Sequence, residues 1–256
     1  MSVNLPPGTP IWLDLGTTDP DAATAFYAAL FGWTATPPAE AFGGYQTFLQ
    51  GEKAVAGLMR TQSPTQPVAW TVWLHAPDAK AALAAAVAAG GTAVFGPDAV
   101  GDLGQMAAFI DPAGAFVGLW QPGTHTGVVA EGLGTPVWYE LATRDFPAAV
   151  AFYPKVFGIP VEPVHENEQM RYSRLGAGLA ARAGIWDGDP CLPAGIPSHW
   201  SVYFYVADVW ATCDQAVALG GTIVMPAADT PWGPMATLRD PQGGYFKLMT
   251  PRMPAA

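Results

Sequence analysis

Four times along the chain, a short stretch with apolar residues at every second position gives way to one with apolar residues three and four apart. The first spacing predicts a half-buried strand and the second an amphipathic helix. In the first stretch Ile11, Leu13 and Leu15 alternate with Trp12, Asp14 and Gly16. One strand face is therefore aliphatic, and the other carries an indole and a carboxylate. Asp19-Pro20 suits a helix start, with Asp as the cap and Pro in the first turn. Ala23, Phe26, Tyr27, Leu30 and Phe31 keep helical spacing, and Gly32 suits the exit. Short strands are expected around Trp33–Thr36, Tyr45–Leu49 and Ala54–Met59, completing a β-α-β-β-β unit.

The pattern restarts at Val68-Ala-Trp70-Thr71-Val-Trp73-Leu-His75, a strand. An alanine-rich helix over Asp78–Ala89 follows, closed by Gly90-Gly91, and alanine has the highest helix propensity. Strands are expected at Thr92–Phe95, Met106–Ile110 and Phe116–Trp120, with Asp111-Pro-Ala-Gly114 as the turn between the last two. Residues 123–134, rich in Gly, read as a linker. Everything then repeats. Trp138 and Glu140 stand where Trp12 and Asp14 stood, and Phe152-Tyr153 with Phe157-Gly158 echoes Phe26-Tyr27 with Phe31-Gly32. Trp200-Ser201-Val-Tyr203 matches Trp70-Thr71-Val-Trp73, and Asp240-Pro-Gln-Gly243 matches the earlier turn. The reading is an α+β chain of four βαβββ units in two domains, 1–122 and 135–256, each a curved eight-stranded mixed sheet around a cavity. One residue breaks the local rules. Pro154 lies inside the third predicted helix, where it removes a hydrogen bond, so a kink or early break is expected there.

Composition narrows the function. The length of 256 residues suits about two domains, and half the residues are hydrophobic. No apolar run reaches the roughly 18 residues of a membrane helix. The start, Met-Ser-Val-Asn-Leu-Pro-Pro-Gly, has neither basic nor apolar leader regions, and two cysteines make no disulfide framework. A cytoplasmic protein is the expectation. A net charge of −10 repels a phosphate backbone, so neither nucleic acid nor membrane is expected as a partner. A small-molecule ligand is expected, and the sequence leaves room for a homodimer.

Paired βαβββ units, the F-Y-x-x-x-F-G helix end and the D-P-x-G turn resemble the vicinal oxygen chelate superfamily. That group holds glyoxalase I, bleomycin- and fosfomycin-resistance proteins and extradiol dioxygenases. The resemblance spans residues 9 to 250 and implies two sheets that each enclose a cavity. It also implies a divalent metal on three or four His/Glu residues. Carried onto this chain, the ligand positions fall at Trp12 and Trp138, near Thr71 and Ser201, and at Gly118 and Lys247. None of these offers the family's ligand types. The expectation is therefore a member without metal and without cofactor, resembling those that bind drugs or act in aromatic natural-product pathways.

On that frame Trp12 and Trp138 offer flat apolar walls for a planar ligand. Asp14 and Glu140 lie two residues on, as carboxylates that an apolar enclosure would tune for acid–base work. His199 could pair with Glu140 as an acid–base partner. Thr71, Trp73, Ser201, Tyr203, Lys247 and Met235 complete the expected ligand-binding set. Each has a bland alternative: indoles that fill a core, carboxylates that end a strand, and a His199 that only caps one. Cys213 reads as an inert core thiol, and His125 and His165 read as surface residues in loops. The first functional reading is an enzyme-like, metal-independent binder of a planar, largely apolar molecule, catalysing a step such as cyclisation, ketal formation or isomerisation. Non-catalytic sequestration is the alternative. A metal lyase or dioxygenase using Glu140 and His199 is the third, two ligands being fewer than catalytic metal sites usually have.

Overall fold

The structure, a computed structural model, describes residues 5–167 and 170–252. Met1–Asn4, the start of the segment read as lacking a leader, lie outside the described residues. The first unit runs β1 (Pro10–Thr17), α1 (Pro20–Phe31), β2 (Thr34–Ala35), β3 (Gln46–Gln50) and β4 (Lys53–Arg60). The second runs β5 (Ala69–His75), α2 (Ala79–Ala88), β6 (Thr92–Val100), β7 (Gly104–Ile110) and β8 (Phe116–Pro122). The third runs β9 (Pro136–Thr143), α3 (Phe146–Phe157), β10 (Val161–Asn167), β11 (Met170–Leu175) and β12 (Ala183–Asp187). The fourth runs β13 (His199–Tyr205), α4 (Val209–Ala218), β14 (Thr222–Ala228), β15 (Met235–Arg239) and β16 (Tyr245–Met249).

These strands form two mixed sheets of eight, ordered β2-β3-β4-β1-β5-β8-β7-β6 and β10-β11-β12-β9-β13-β16-β15-β14. Each sheet ends on open edges. Within each unit the first strand and the last lie parallel and adjacent, because a helix carries the chain between them and the last three strands form a meander. All four helices start the same way. Asp19, Asp78, Asp145 and Asp208 each accept a hydrogen bond from the backbone N–H three residues on, at 2.9–3.1 Å.

Pro154 corrects the sequence reading, since α3 runs unbroken from Phe146 to Phe157. Pro154 sits near the helix end, so it removes a single backbone hydrogen bond. Phe152, Tyr153, Val156 and Phe157 around it are all buried, and their packing outweighs that loss. Gly158 then closes the helix in the left-handed conformation, its N–H bonding back to the Pro154 carbonyl.

The chain packs as two compact units. Among the described residues, one comprises 5–12, Thr71–Gly127 and Tyr139–Ser201, the other Leu13–Trp70, Val128–Trp138 and 202–252. Each core is built on a buried polar chain. In the first, Trp200 Nε1 donates to the Tyr153 hydroxyl at 3.1 Å, which donates to Asp111 at 3.0 Å. In the second, Trp70 Nε1 donates to the Tyr27 hydroxyl, which donates to Asp240, at the same two distances. Each aspartate also accepts from two backbone N–H groups of its own turn, Ala113 and Ala115 or Gln242 and Gly244. The F-Y helix end and the D-P-x-G turn, noticed as separate motifs, are thus two ends of one bonded structure. Their job is to fold the chain.

Candidate functional site

The candidate residues read from the sequence lie on β1, β5, β9, β13, β15 and β16. On β1, Trp12 and Asp14 share one face by strand alternation. Asp14 Oδ1 accepts a hydrogen bond from the Tyr45 hydroxyl at 2.6 Å. That length lies at the short end for O–H···O, as suits a carboxylate acceptor. Asp14 is the Cα partner of Gly57 on β4, and a Cβ at Gly57 would run into both Asp14 Oδ1 and the Tyr45 hydroxyl. Glycine here is a floor that lets a phenol and a carboxylate meet over the sheet.

The arrangement recurs in the second half. Glu140, buried on β9, is the Cα partner of Gly184 on β12, and the Tyr172 hydroxyl lies over Gly184. Tyr45 and Tyr172 escaped the sequence reading. The repeat held the signal, because each tyrosine stands twelve residues before its glycine, and each glycine faces the carboxylate of the first strand of its unit.

Trp73, at 8% exposure, is the Cα partner of Gly118. The benzo edge of its indole covers that glycine, so a Cβ there would meet Cε3 at 2.5 Å and Cδ2 at 2.6 Å. The corresponding pair in the second half is Tyr203 and Lys247, again Cα partners. Lys247 Nζ donates to the Tyr203 hydroxyl at 3.2 Å and lies 4.8 Å from the ring centroid. Thr71 is half-buried two residues before Trp73, and Ser201 is buried two residues before Tyr203. Trp138 is half-buried on β9, and Met235 opens β15 opposite Met249.

Trp12 is buried and meets the His125 ring edge-on, centroids 4.3 Å apart. Trp120 meets the same ring at 5.5 Å, and its Nε1 donates to the His125 carbonyl at 3.0 Å. His125 is therefore half-buried between two indoles, which corrects its reading as a surface residue, and burial lowers its pKa. A ring nitrogen of His199 lies 2.9 Å from the Pro197 carbonyl, a contact within its own segment. His75, buried, has Nδ1 3.2 Å from the Pro6 carbonyl. Cys213 is buried, and burial pushes its thiol up, as an inert core thiol should behave.

A divalent metal does not fit these residues. Among the described residues, no three His, Cys, Asp or Glu side chains are placed to hold one. At the last strand's ligand position, Gly118 is covered by an indole and Lys247 brings an ammonium that would repel a cation.

The profile of the Glyoxalase/Bleomycin resistance protein/Dioxygenase superfamily matches residues 135–248, and that of a glyoxalase-like domain matches residues 11–117. The chain belongs to this superfamily. Among its relatives is CFP32 of Mycobacterium tuberculosis (strain CDC 1551 / Oshkosh), which carries the name of a glyoxylase; it is 38% identical over 251 residues, 95% of each chain. Another is the anthracycline biosynthesis protein DnrV of Streptomyces peucetius, 36% identical over 271 aligned positions, 95% of this chain and 93% of the relative. The fold is similar to that of the 2,3-dioxygenase LapB from Pseudomonas sp. KL28, with a TM-score of 0.68 and 13% identity over 97% of this chain and 95% of that one.

Proposed function

We propose that this protein binds a planar, largely apolar small molecule and moves a proton on it without a metal. The observation that carries the reading is the Asp14–Tyr45 pair, a carboxylate and a phenol 2.6 Å apart over a glycine floor, on a strand face shared with an indole. A carboxylate in that setting can take a proton from an acidified C–H or from a hydroxyl of the ligand. The Tyr45 hydroxyl orients it and supports its charge, as a positioned donor supports a catalytic base. Cyclisation, ketal formation and isomerisation are the reaction types such a pair serves. The kinship with DnrV, named for anthracycline biosynthesis, supports a place in secondary metabolism and a polycyclic aromatic ligand.

Proton exchange tests the catalytic half of this reading. The protein is incubated in D2O with 1-tetralone, a flat aryl ketone with exchangeable α-hydrogens, and deuterium incorporation is followed by NMR. Wild type is expected to accelerate exchange over buffer. Asp14→Asn is expected to lose at least a hundredfold of that acceleration, within the span of general-base effects, while keeping its affinity within a few-fold. Binding without exchange in wild type would favour the alternative, sequestration.

A further inference from the structure

Trp73 differs in one respect from four other indoles of this chain. Trp33 donates its N–H to the Gly134 carbonyl, Trp70 to Tyr27, Trp120 to the His125 carbonyl and Trp200 to Tyr153. Trp73 Nε1 is buried and donates to nothing in the protein. A buried N–H without an acceptor costs the fold its full desolvation penalty, so each one calls for an explanation. The glycine beneath this ring sharpens the point. Gly118 has no side chain, and the Cε3 edge of the indole occupies the space a Cβ would take. The pyrrole N–H lies on the edge of the indole opposite Cε3. The cradle holds the ring firmly while leaving its donor without use inside the protein.

We infer that Trp73 Nε1 is a binding donor that takes a neutral oxygen acceptor, a ketone or quinone carbonyl, on the planar ligand. An indole can donate and cannot accept, so its partner must be an acceptor. The acceptor is neutral because a net charge of −10 disfavours a desolvated anion. The ligand class is thereby narrowed from planar aromatic to planar aromatic carbonyl compound. This inference rests on the planar-ligand reading above.

Two neutral probes of one shape test it, 2-(hydroxymethyl)anthraquinone and 2-(hydroxymethyl)anthracene. Wild type should bind the quinone about fivefold to tenfold more tightly than the hydrocarbon, the preference one hydrogen bond supplies. Trp73→Phe keeps an aromatic ring and removes the N–H, so the ratio of quinone to hydrocarbon affinity should fall to about one. A readout on wild type stands beside it in case the variant does not fold. The Trp73 indole N–H resonance, assigned through its own side-chain correlations in 15N-labelled protein, should move downfield with the quinone and not with the hydrocarbon. If both probes bind and neither Trp73→Phe nor the resonance distinguishes them, the inference is overturned and the planar-ligand reading stands. If neither probe binds, both fall together.

Discussion

Burial sorts the carboxylates of this chain. Asp14 looks outward from its sheet and is partly exposed, with a phenol at hand. Asp111 and Asp240 are buried, and burial pushes both above the ordinary carboxylate range, against the backbone and tyrosine hydrogen bonds that pull them down. Folded protein therefore holds those two protons more tightly than unfolded chain. Their contribution to stability is present below the unfolded value of about 4 and is lost as pH rises to the folded value. Asp111→Asn removes one of these titrations. Its unfolding free energy relative to wild type should improve as pH rises from about 4 to about 7, read from urea titrations at the two ends. A difference that shrinks or stays flat would count against the assignment. Sequence alone gave Asp14 and Glu140 as candidates because strand alternation sets their side. It missed Tyr45 and Tyr172, because a tyrosine at the start of a strand looks like any aromatic until its register against Gly57 and Gly184 is known.

Elements were the most legible level. The helix starts are written as Asp four times over, and the exits of α1 and α3 as Gly32 and Gly158 in left-handed conformation. Pro154 misled because a propensity rule weighs one hydrogen bond locally and cannot weigh four buried neighbours. Pro154→Ala should restore the missing backbone donor without disturbing those neighbours. It is expected to stabilise the protein by about 2 kcal/mol, the helix gain less the unfolded-chain entropy that proline suppresses. Differential scanning calorimetry reads this directly, and a lower melting temperature would mean that Pro154 is fitted to its site. Strand ends were harder to read: β6 runs to Val100 past the expected end at Phe95, through Gly96-Pro97, where turn residues obscure an edge strand.

For the whole molecule, repetition was legible and packing was not. Comparing the chain with itself reveals four equivalent units. It does not reveal that the second unit's turn aspartate bonds the third unit's helix, or the fourth's the first's. Those choices join residues 42 and 213 positions apart, beyond the reach of any local pattern. The superfamily fold is held apart from the positions at which the resemblance places metal ligands. The buried triads that hold each unit share no residue with the sheet faces where the ligands would stand. Trp12, Gly118 and Lys247 therefore stand at those positions without touching the triads. Among the described residues, no helix is long and apolar enough to cross a membrane.

In the proposed function the sheet faces bind a planar molecule through indoles, phenols and carboxylates, with no metal taking part. Isothermal titration of EDTA-stripped protein with 2-(hydroxymethyl)anthraquinone, repeated with added Mn(II), tests it most directly. The account predicts saturable binding in the micromolar range or tighter, about −8 kcal/mol, unchanged by the metal. Binding that appears only with Mn(II) would contradict it and return the chain to the metal-dependent members of its superfamily.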